Sequence, residues 1–223
     1  MSYLDLQVSL LELVEPQWER VIAFDMETDT RHGGYLTGER ILVISFARRV
    51  SGEFLESDGI EIKTLFLEED SDDSEMDLLL RLGREIGEIE PICILGYGIR
   101  QYDIPLLAIK KQRYGELIKN RREFWKLVDF TESTIHIDLY HILKYKRYKR
   151  FDQVVESEEF ATLPLKRSKN IVASRGIKKA QEIYKLWKKR ESKLKEYVEG
   201  DVHDSLLIAE KILLEANKWY SFI

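Results

Sequence analysis

The chain has 223 residues, of which 44% are hydrophobic, 34% are charged and one is a cysteine. This length can bury one sizeable core, so we predict a single domain over residues 1–223. The longest apolar runs are too short to span a bilayer, the N-terminal residues lack the basic flank of a secretory signal, and one cysteine excludes an intrachain disulfide framework. We therefore expect a cytoplasmic protein that does not contact a membrane.

The charge is unevenly distributed along the chain. A net charge of −5 by itself argues against a polyanion as a partner. However, residues 1–100 carry 22 acidic and 9 basic side chains, whereas residues 101–223 carry 18 acidic and 26 basic ones. This asymmetry favours one face that attracts polyanions. The alternative is that the basic side chains are ordinary solvated faces of helices in a lysine-rich protein.

Three apolar segments in the first part of the chain have the pattern of strands. They are VIAFDM, RILVISFARR and IKTLFL, and turn residues separate them, which predicts an antiparallel meander. The acidic stretch EEDSDDSEMD at 68–77 follows. We predict that it is a loop that caps an amphipathic helix, because an apolar series at helical spacing starts at Met76.

Strands and helices alternate in the rest of the chain. PICILGYG predicts a short buried strand that leads into a glycine turn, and a helix is expected from about Ile104 through Lys111. TIHIDLYHIL predicts a strand that runs into a helix, and the pattern from about Gly176 to the end is helical. A meander followed by such alternation indicates the α/β class with a mixed sheet.

The first strand runs into two carboxylates, Asp25 and Glu27. Residues two apart on a strand point to the same face, with Cα atoms about 7 Å apart, so both side chains can reach one divalent cation. Carboxylate oxygens suit Mg²⁺ or Mn²⁺ better than zinc. The ordinary alternative for such a pair is an exposed strand end.

Two later segments carry carboxylates in equally suggestive positions. In ILGYGIRQYDIPLL, Asp103 stands where a helix is expected to begin, and its ordinary role there would be a helix cap. In EYVEGDVHDSLLIAEKIL, Tyr197 and Asp201 share one helix face if the helix continues through Gly200. Considered alone, these two residues would be an ordinary surface pair.

Considered together, the three segments resemble the motifs of the proofreading 3′–5′ exonuclease domain of family-B DNA polymerases. FDMET is similar to the first motif, Phe-Asp-x-Glu-Thr, and LGYGIRQYDIPLL to the second, Gly-Tyr-Asn-x-x-x-Phe-Asp-x-Pro. YVEGDVHDSLLIAEKI is similar to the third, Tyr-x-x-x-Asp followed by an apolar helix, and IHIDLYHIL resembles the connecting segment. The resemblance extends from about residue 20 to 215. It implies a ribonuclease H-like fold with a mixed five- or six-stranded sheet flanked by helices.

Those proofreading domains belong to the DEDD exonucleases, and the resemblance implies a role for each matched residue. Asp25, Glu27, Asp103 and Asp201 would bind two divalent cations, Mg²⁺ or Mn²⁺, and Tyr197 would orient the attacking water, as in the tyrosine branch of the family. One cation would be held by Asp25, Glu27 and Asp201, and the second would lie near Asp25 and Asp103. The implied activity is hydrolysis of single-stranded DNA from the 3′ end to 5′-mononucleotides by a two-metal-ion mechanism.

The chain departs from the family pattern in two ways. Gly98 stands where the family has an asparagine close to the substrate strand, a change that could weaken substrate positioning. No polymerase palm signature follows the third motif, so the exonuclease is expected to act alone or with a separate polymerase or repair partner. DNA is favoured over RNA as the substrate by family analogy. The alternatives are an RNA 3′-end exonuclease and a catalytically weak nucleic-acid-binding or scaffold subunit.

Two basic segments lie between the second and third motifs. LYHILKYKRYKRF, residues 139–151, interleaves aromatic and basic side chains, which could track a nucleic-acid strand or form a helix with buried aromatics and solvated lysines. Residues 177–195 are expected to pack an apolar stripe on the sheet and expose their lysines. That stripe comprises Ile177, Ile183, Leu186, Trp187 and Leu194. His203 is expected to have a structural or surface role.

Overall fold

The computed structural model describes residues 2–30, 36, 38–172 and 176–220, and in these ranges five strands form one mixed sheet. The strands are β1 (Val21–Asp29), β2 (Arg40–Arg49), β3 (Ile60–Phe66), β4 (Cys93–Gly96) and β5 (Ile135–Asp138). Their order is β3-β2-β1-β4-β5; the first three pair antiparallel, and β1, β4 and β5 pair parallel. The predicted α/β class and mixed sheet are confirmed, and the architecture is consistent with a ribonuclease H-like fold.

The described part of the chain contains eight α-helices. They are α1 (Tyr3–Val14), α2 (Asp72–Ile89), α3 (Asp103–Ile118), α4 (Arg122–Glu132), α5 (Leu139–Leu143), α6 (Phe151–Val155), α7 (Ile177–Lys188) and α8 (Ser192–Leu214). Within the same residues, no helix combines the length and apolarity needed to cross a membrane.

The prediction of a loop over residues 68–77 is wrong in part. Helix α2 already begins at Asp72, because the Ser71 side chain caps it by accepting a hydrogen bond from Ser74 N at 3.2 Å. Carboxylates in the first turn stabilise the positive end of a helix, which explains the acidic sequence at this point. Helix α3 also extends seven residues beyond the predicted Lys111, to Ile118.

Strand β1 lies in the middle of the sheet and is covered on both faces. Val21 and Ala23 pack with α1, α5 and the C-terminal half of α8, whereas Ile22 and Phe24 pack with α2, α3 and α4. A strand buried on both sides has a continuous apolar sequence instead of an alternating one, as observed in VIAF. The residues that follow this apolar run on β1 therefore start from the buried middle of the sheet.

A buried ion pair fixes α8 to the sheet. The Glu210 carboxylate accepts hydrogen bonds from Arg49 Nε at 2.6 Å and Nη2 at 2.8 Å, from Trp18 Nε1 at 3.1 Å and from Leu55 N at 2.8 Å. A buried charge with this many partners is compensated. The pair therefore anchors α8 to β2 and holds its N-terminal half beside β1.

Candidate metal centre

Three carboxylates from two distant parts of the chain meet beside β1. Asp25 and Glu27 lie two residues apart on that strand, and alternate residues of a strand share a face. Helix α8 brings Asp201 to them, so that one carboxylate oxygen from each residue lies within 4.8 Å of the other two. The structure thus brings together three of the five predicted site residues in a group that could hold a metal ion.

These carboxylates are not at an exposed strand end or on an exposed helix surface. Strand β1 continues through Asp29, and Glu27 is only 8% exposed. Helix α8 runs through Gly200 without interruption, and both Tyr197 and Asp201 are buried. The two ordinary alternatives considered for these residues, an exposed strand end and a surface pair, are therefore wrong.

Asp103 approaches the same place from the start of α3. Its Oδ1 accepts a hydrogen bond from Met26 N at 3.0 Å, so this side chain binds the backbone of β1 between the two strand carboxylates. It lies outside the group of three but lines the same cleft. The helix-cap alternative is wrong, because Tyr102 is the N-cap residue and Asp103 is already the first residue of the helix.

Burial and mutual repulsion make Asp25, Asp103 and Asp201 hard to ionise. Burial raises the pKa of Asp25 well above its usual range, and the charges of Asp201 and Glu27 raise it further. Burial and then the Glu27 charge raise the pKa of Asp103 to about 7. Burial also raises the pKa of Asp201, although the Lys169 ammonium opposes this shift. A nearby cation would relieve both effects.

One oxygen of Asp25 is available for such a cation. Its Oδ2 is buried and has no hydrogen-bond partner among the described residues. A buried carboxylate oxygen without a donor is costly, and a metal ligand is one way to satisfy it. The all-oxygen donor set of Asp25, Glu27 and Asp201 suits a hard divalent cation.

Two lysines reach the carboxylates from the segment between the second and third motifs. Lys169 Nζ forms an ion pair with Asp201 Oδ2 and donates a hydrogen bond to Tyr197 Oη at 3.1 Å. Lys179 Nζ lies 2.6 Å from Glu27 Oε1. The expectation that the lysines of residues 177–195 are exposed is therefore wrong for Lys179. Ile177 was expected to pack on the sheet, and this expectation is wrong because the residue is 75% exposed.

The Tyr197 ring lies close to both ammonium groups. The centroid of its ring is 4.8 Å from Lys169 Nζ and 5.5 Å from Lys179 Nζ. Burial raises the pKa of the Tyr197 phenol far above its usual range, and the charges of Glu27 and Asp201 add to this. The phenol therefore stays protonated at neutral pH and remains a hydrogen-bond donor at the centre.

Asp138 shapes the glycine turn of the second motif. Its buried carboxylate accepts hydrogen bonds from Gly98 N at 2.8 Å, Arg100 N at 3.2 Å and Tyr140 N at 3.0 Å. Gly98 has φ +82°, and a Cβ built there would have no atom within 4 Å. Space alone would therefore admit the asparagine of the exonuclease motif, although this backbone conformation strains residues with a side chain.

A cleft of about 600 Å³ opens from the carboxylates along this turn. Its lining includes Tyr97, Gly98, Tyr140 and Lys149. Of residues 139–151, Phe151 is buried in the core, as the helix alternative requires, whereas Tyr140 and Lys149 line the cleft. The structural role expected for His203 is confirmed. This buried side chain is hydrogen-bonded to Asp204 at 3.0 Å and to Ser57 at 3.2 Å.

Three residues that organise the centre, Lys169, Lys179 and Asp138, are not among the site residues predicted from the sequence. The two lysines belong to a chain with many lysines and stand at no distinctive spacing from the carboxylates. Asp138 was visible only as part of the connecting segment IHIDLYHIL. A polar residue at the carboxyl end of a strand next to β4 was a usable signal, because such ends gather at one edge of a sheet.

A scan against protein-family models finds no matching family, and a search of curated proteins finds no match. Among solved structures, a family B DNA polymerase from the hyperthermophilic archaeon Pyrobaculum calidifontis is similar, with a TM-score of 0.52 and 21% sequence identity. The match covers 86% of this chain and 24% of the polymerase chain. The chain therefore spans about a quarter of the length of that protein, and the likeness at this identity supports the fold.

Proposed function

We propose that this protein is a metal-dependent 3′–5′ exonuclease that shortens single-stranded DNA ends and releases 5′-mononucleotides. The observation that carries the proposal is the convergence of Asp25, Glu27 and Asp201 at one point, with Asp103 and Tyr197 beside them. These five residues are those that match the exonuclease motifs. A fold similar to that of a family B DNA polymerase adds support.

The carboxylates would hold two divalent cations, Mg²⁺ or Mn²⁺. We assign Asp25, Glu27 and Asp201 to one cation, and Asp25 with Asp103 to the second. The buried Asp25 Oδ2, which has no hydrogen-bond partner in the part of the chain that the structure describes, and the raised pKa values of Asp25 and Asp103 support this assignment. When bound, two such cations would activate a water as the nucleophile and stabilise charge on the leaving 3′-oxygen.

The chain's own residues would position the reactants. Tyr197 keeps its proton, so it can donate a hydrogen bond to the attacking water and hold it in line with the phosphate. Lys169 donates to the phenol oxygen and thereby fixes its place beside Asp201. Asp103 is held against β1 by the bond from Met26 N, which limits the rotation of its carboxylate.

The cleft lining favours a single nucleic-acid strand as the substrate. Tyr97 and Tyr140 are in edge-to-face contact, with ring centroids 5.6 Å apart, and both border the cleft. Bases of a single strand can stack on such rings, and the Lys149 ammonium is placed to contact the backbone. A duplex end would first have to separate before its terminal nucleotide could enter a cleft of this size.

The test is Mn²⁺-supported digestion of single-stranded DNA and RNA labelled at the 3′ or the 5′ end, with Asp25→Asn beside the wild type. We expect stepwise shortening from the 3′ end, faster on DNA, and a loss of at least about a hundredfold in the variant. Asp73→Asn is a matched control, because it removes an exposed carboxylate at the start of α2. That control should digest at the wild-type rate.

The second candidate is a nucleic-acid-binding subunit with weak catalysis. The observation that favours it is the pair of ammonium groups on Asp201 and Glu27, because they already compensate part of the charge that cations would neutralise. The same assay separates the two functions. Strand binding by the wild type without any shortening in Mn²⁺ would contradict the exonuclease and favour the binding subunit.

A further inference from the structure

The loop that carries Lys169 is built onto α8 next to Asp201. Ser168 Oγ donates a hydrogen bond to Tyr197 O at 3.0 Å, and the Asp204 carboxylate accepts from Lys166 N at 2.8 Å and Arg167 N at 2.9 Å. A Cβ on Gly200 would lie 2.1 Å from Ser168 Oγ, so the close approach requires glycine at that helix position. The position of Lys169 is therefore defined by several contacts.

Lys179 reaches the same centre from α7. It lies on the first turn of α7, where α7 packs against β1, and its side chain lines the cleft. Its side chain is 34% exposed and that of Lys169 is 23% exposed. A ligand in the cleft can therefore reach Lys179 directly, whereas Lys169 lies deeper.

The two ammonium groups change the electrostatics of the centre. Four carboxylates surround it, and two positive charges in direct contact with Asp201 and Glu27 offset half of that charge if all four are ionised. A divalent cation bound by the same carboxylates would lie close to both lysines and be repelled by them. The lysines therefore lower the affinity of the centre for a cation while leaving its ligands in place.

We propose that Lys169 and Lys179 make cation binding depend on a phosphate: the centre binds divalent cations weakly until a phosphate group enters the cleft. The incoming group adds negative charge near both ammonium groups and offers Lys179, which lines the cleft, a second partner, so the repulsion on the cation falls. Coupling of this kind is reciprocal, so a cation must raise the affinity for phosphate by the same factor. This inference rests on the proposed function, in which these carboxylates are the cation ligands.

The test measures Mn²⁺ affinity by calorimetry or by the electron paramagnetic resonance signal of free Mn²⁺, with and without thymidine 5′-monophosphate. In the wild type, the nucleotide should tighten Mn²⁺ binding about tenfold, within the range typical of coupled sites. In a Lys169→Met/Lys179→Met double variant, Mn²⁺ alone should bind about tenfold more tightly than to the wild type, and the nucleotide should add little.

Matched variants separate a charge effect from a loss of structure. Lys178→Met removes the neighbouring exposed lysine and should leave both affinities at the wild-type values. Lys169→Arg keeps the positive charge and should retain weak Mn²⁺ binding and the nucleotide effect. Thermal unfolding followed by circular dichroism will show which variants are folded, and the single methionine variants can replace the double one if it is not.

Two outcomes would overturn the inference, and one of them would overturn the proposed function as well. If the wild type and the double variant bind Mn²⁺ equally while Asp25→Asn abolishes binding, the cation centre stands and the role of the lysines is wrong. If neither protein binds Mn²⁺, with or without the nucleotide, the proposed function fails as well.

Discussion

The protein brings the same three residue types, a carboxylate, a lysine and a tyrosine, together in two places with opposite results. In the first, the Glu75 carboxylate of α2 accepts hydrogen bonds from Lys110 Nζ at 2.9 Å, Tyr114 Oη at 2.6 Å and Ile41 N at 2.7 Å. One carboxylate meets one ammonium, and both of its oxygens have donors. This cluster joins α2 and α3 to β2.

The second place is the carboxylate centre, where the balance is different. Four carboxylates share two lysines, Asp25 Oδ2 has no donor among the described residues, and the pKa values of Asp25 and Asp103 are raised. A fully paired buried carboxylate stabilises a fold, whereas a surplus of buried negative charge destabilises it until a cation binds. The comparison therefore distinguishes a structural cluster from a functional one by charge balance and hydrogen-bond satisfaction.

Loss of one carboxylate charge should affect the two clusters in opposite directions. Glu75→Gln leaves the Lys110 ammonium buried without a counter-charge, so we expect the free energy of unfolding to fall by about 3–5 kcal/mol. Asp25→Asn removes a repelling charge, so without divalent cations its free energy of unfolding should equal or exceed that of the wild type. Urea unfolding of both variants in chelator-treated buffer measures the difference. Equal destabilisation by the two substitutions would contradict the comparison.

The raised pKa of Asp103 predicts a dependence of stability on pH. Between pH 4 and 7 the folded protein holds a proton on Asp103 that the unfolded chain has lost, so stability from this group is present at low pH and is lost as the pH rises through about 7. The Asp103→Asn side chain does not titrate, so this variant does not lose stability in the same way as the pH rises. Its stability relative to the wild type should therefore increase by roughly 2–4 kcal/mol from pH 4 to pH 8 without divalent cations.

Addition of Mn²⁺ provides the control for this pH series. A cation that binds the folded wild type stabilises its carboxylates, so saturating Mn²⁺ should shrink the difference between the wild type and Asp103→Asn at pH 8. Thermal unfolding at each pH measures both effects. A constant difference across the series, with or without Mn²⁺, would show that Asp103 does not titrate as described.

Removal of one phenol oxygen from each cluster should separate function from stability. Tyr197→Phe should lower the rate of 3′-end digestion by about a hundredfold, because the attacking water loses a positioning group. Tyr114→Phe should leave the rate unchanged and lower the free energy of unfolding by about 1–3 kcal/mol, because Glu75 loses a buried donor. Single-turnover digestion and urea unfolding of each variant test the pair, and a slower rate in Tyr114→Phe alone would reverse the assignment.

The smallest effect is expected at the glycine turn. Gly98→Asn introduces a side chain into open space but at a φ of +82°, where residues with a side chain are strained, so the free energy of unfolding should fall by about 1 kcal/mol. If the family asparagine contacts the substrate strand, the variant should bind single-stranded DNA a few times more tightly. Fluorescence anisotropy measures this affinity, and Gly98→Ala tests whether the added Cβ alone is responsible.

Much of the fold could be predicted because its signals are local. The three strands of the meander, the short strand β4 and the pair β5–α5 all stand where the apolar patterns placed them. No prediction was made for α1 or α4, although the capping box of Ser2 and Asp5 is a local signal for the start of α1. The acidic stretch before Met76 was misassigned, because acidic residues favour both loops and the first turn of a helix.

The periods of strands and helices are local geometry, so the order of residues suffices to place Asp25 and Glu27 on one strand face and Tyr197 and Asp201 on one helix face. Tertiary packing brings these two faces together and pairs Lys169 and Lys179 with the carboxylates. It also placed Asp103 against the backbone of β1 and outside the group of three. Such contacts depend on how α8 and the preceding segment pack on the sheet, and residues far apart in the chain leave no periodic signal of their packing.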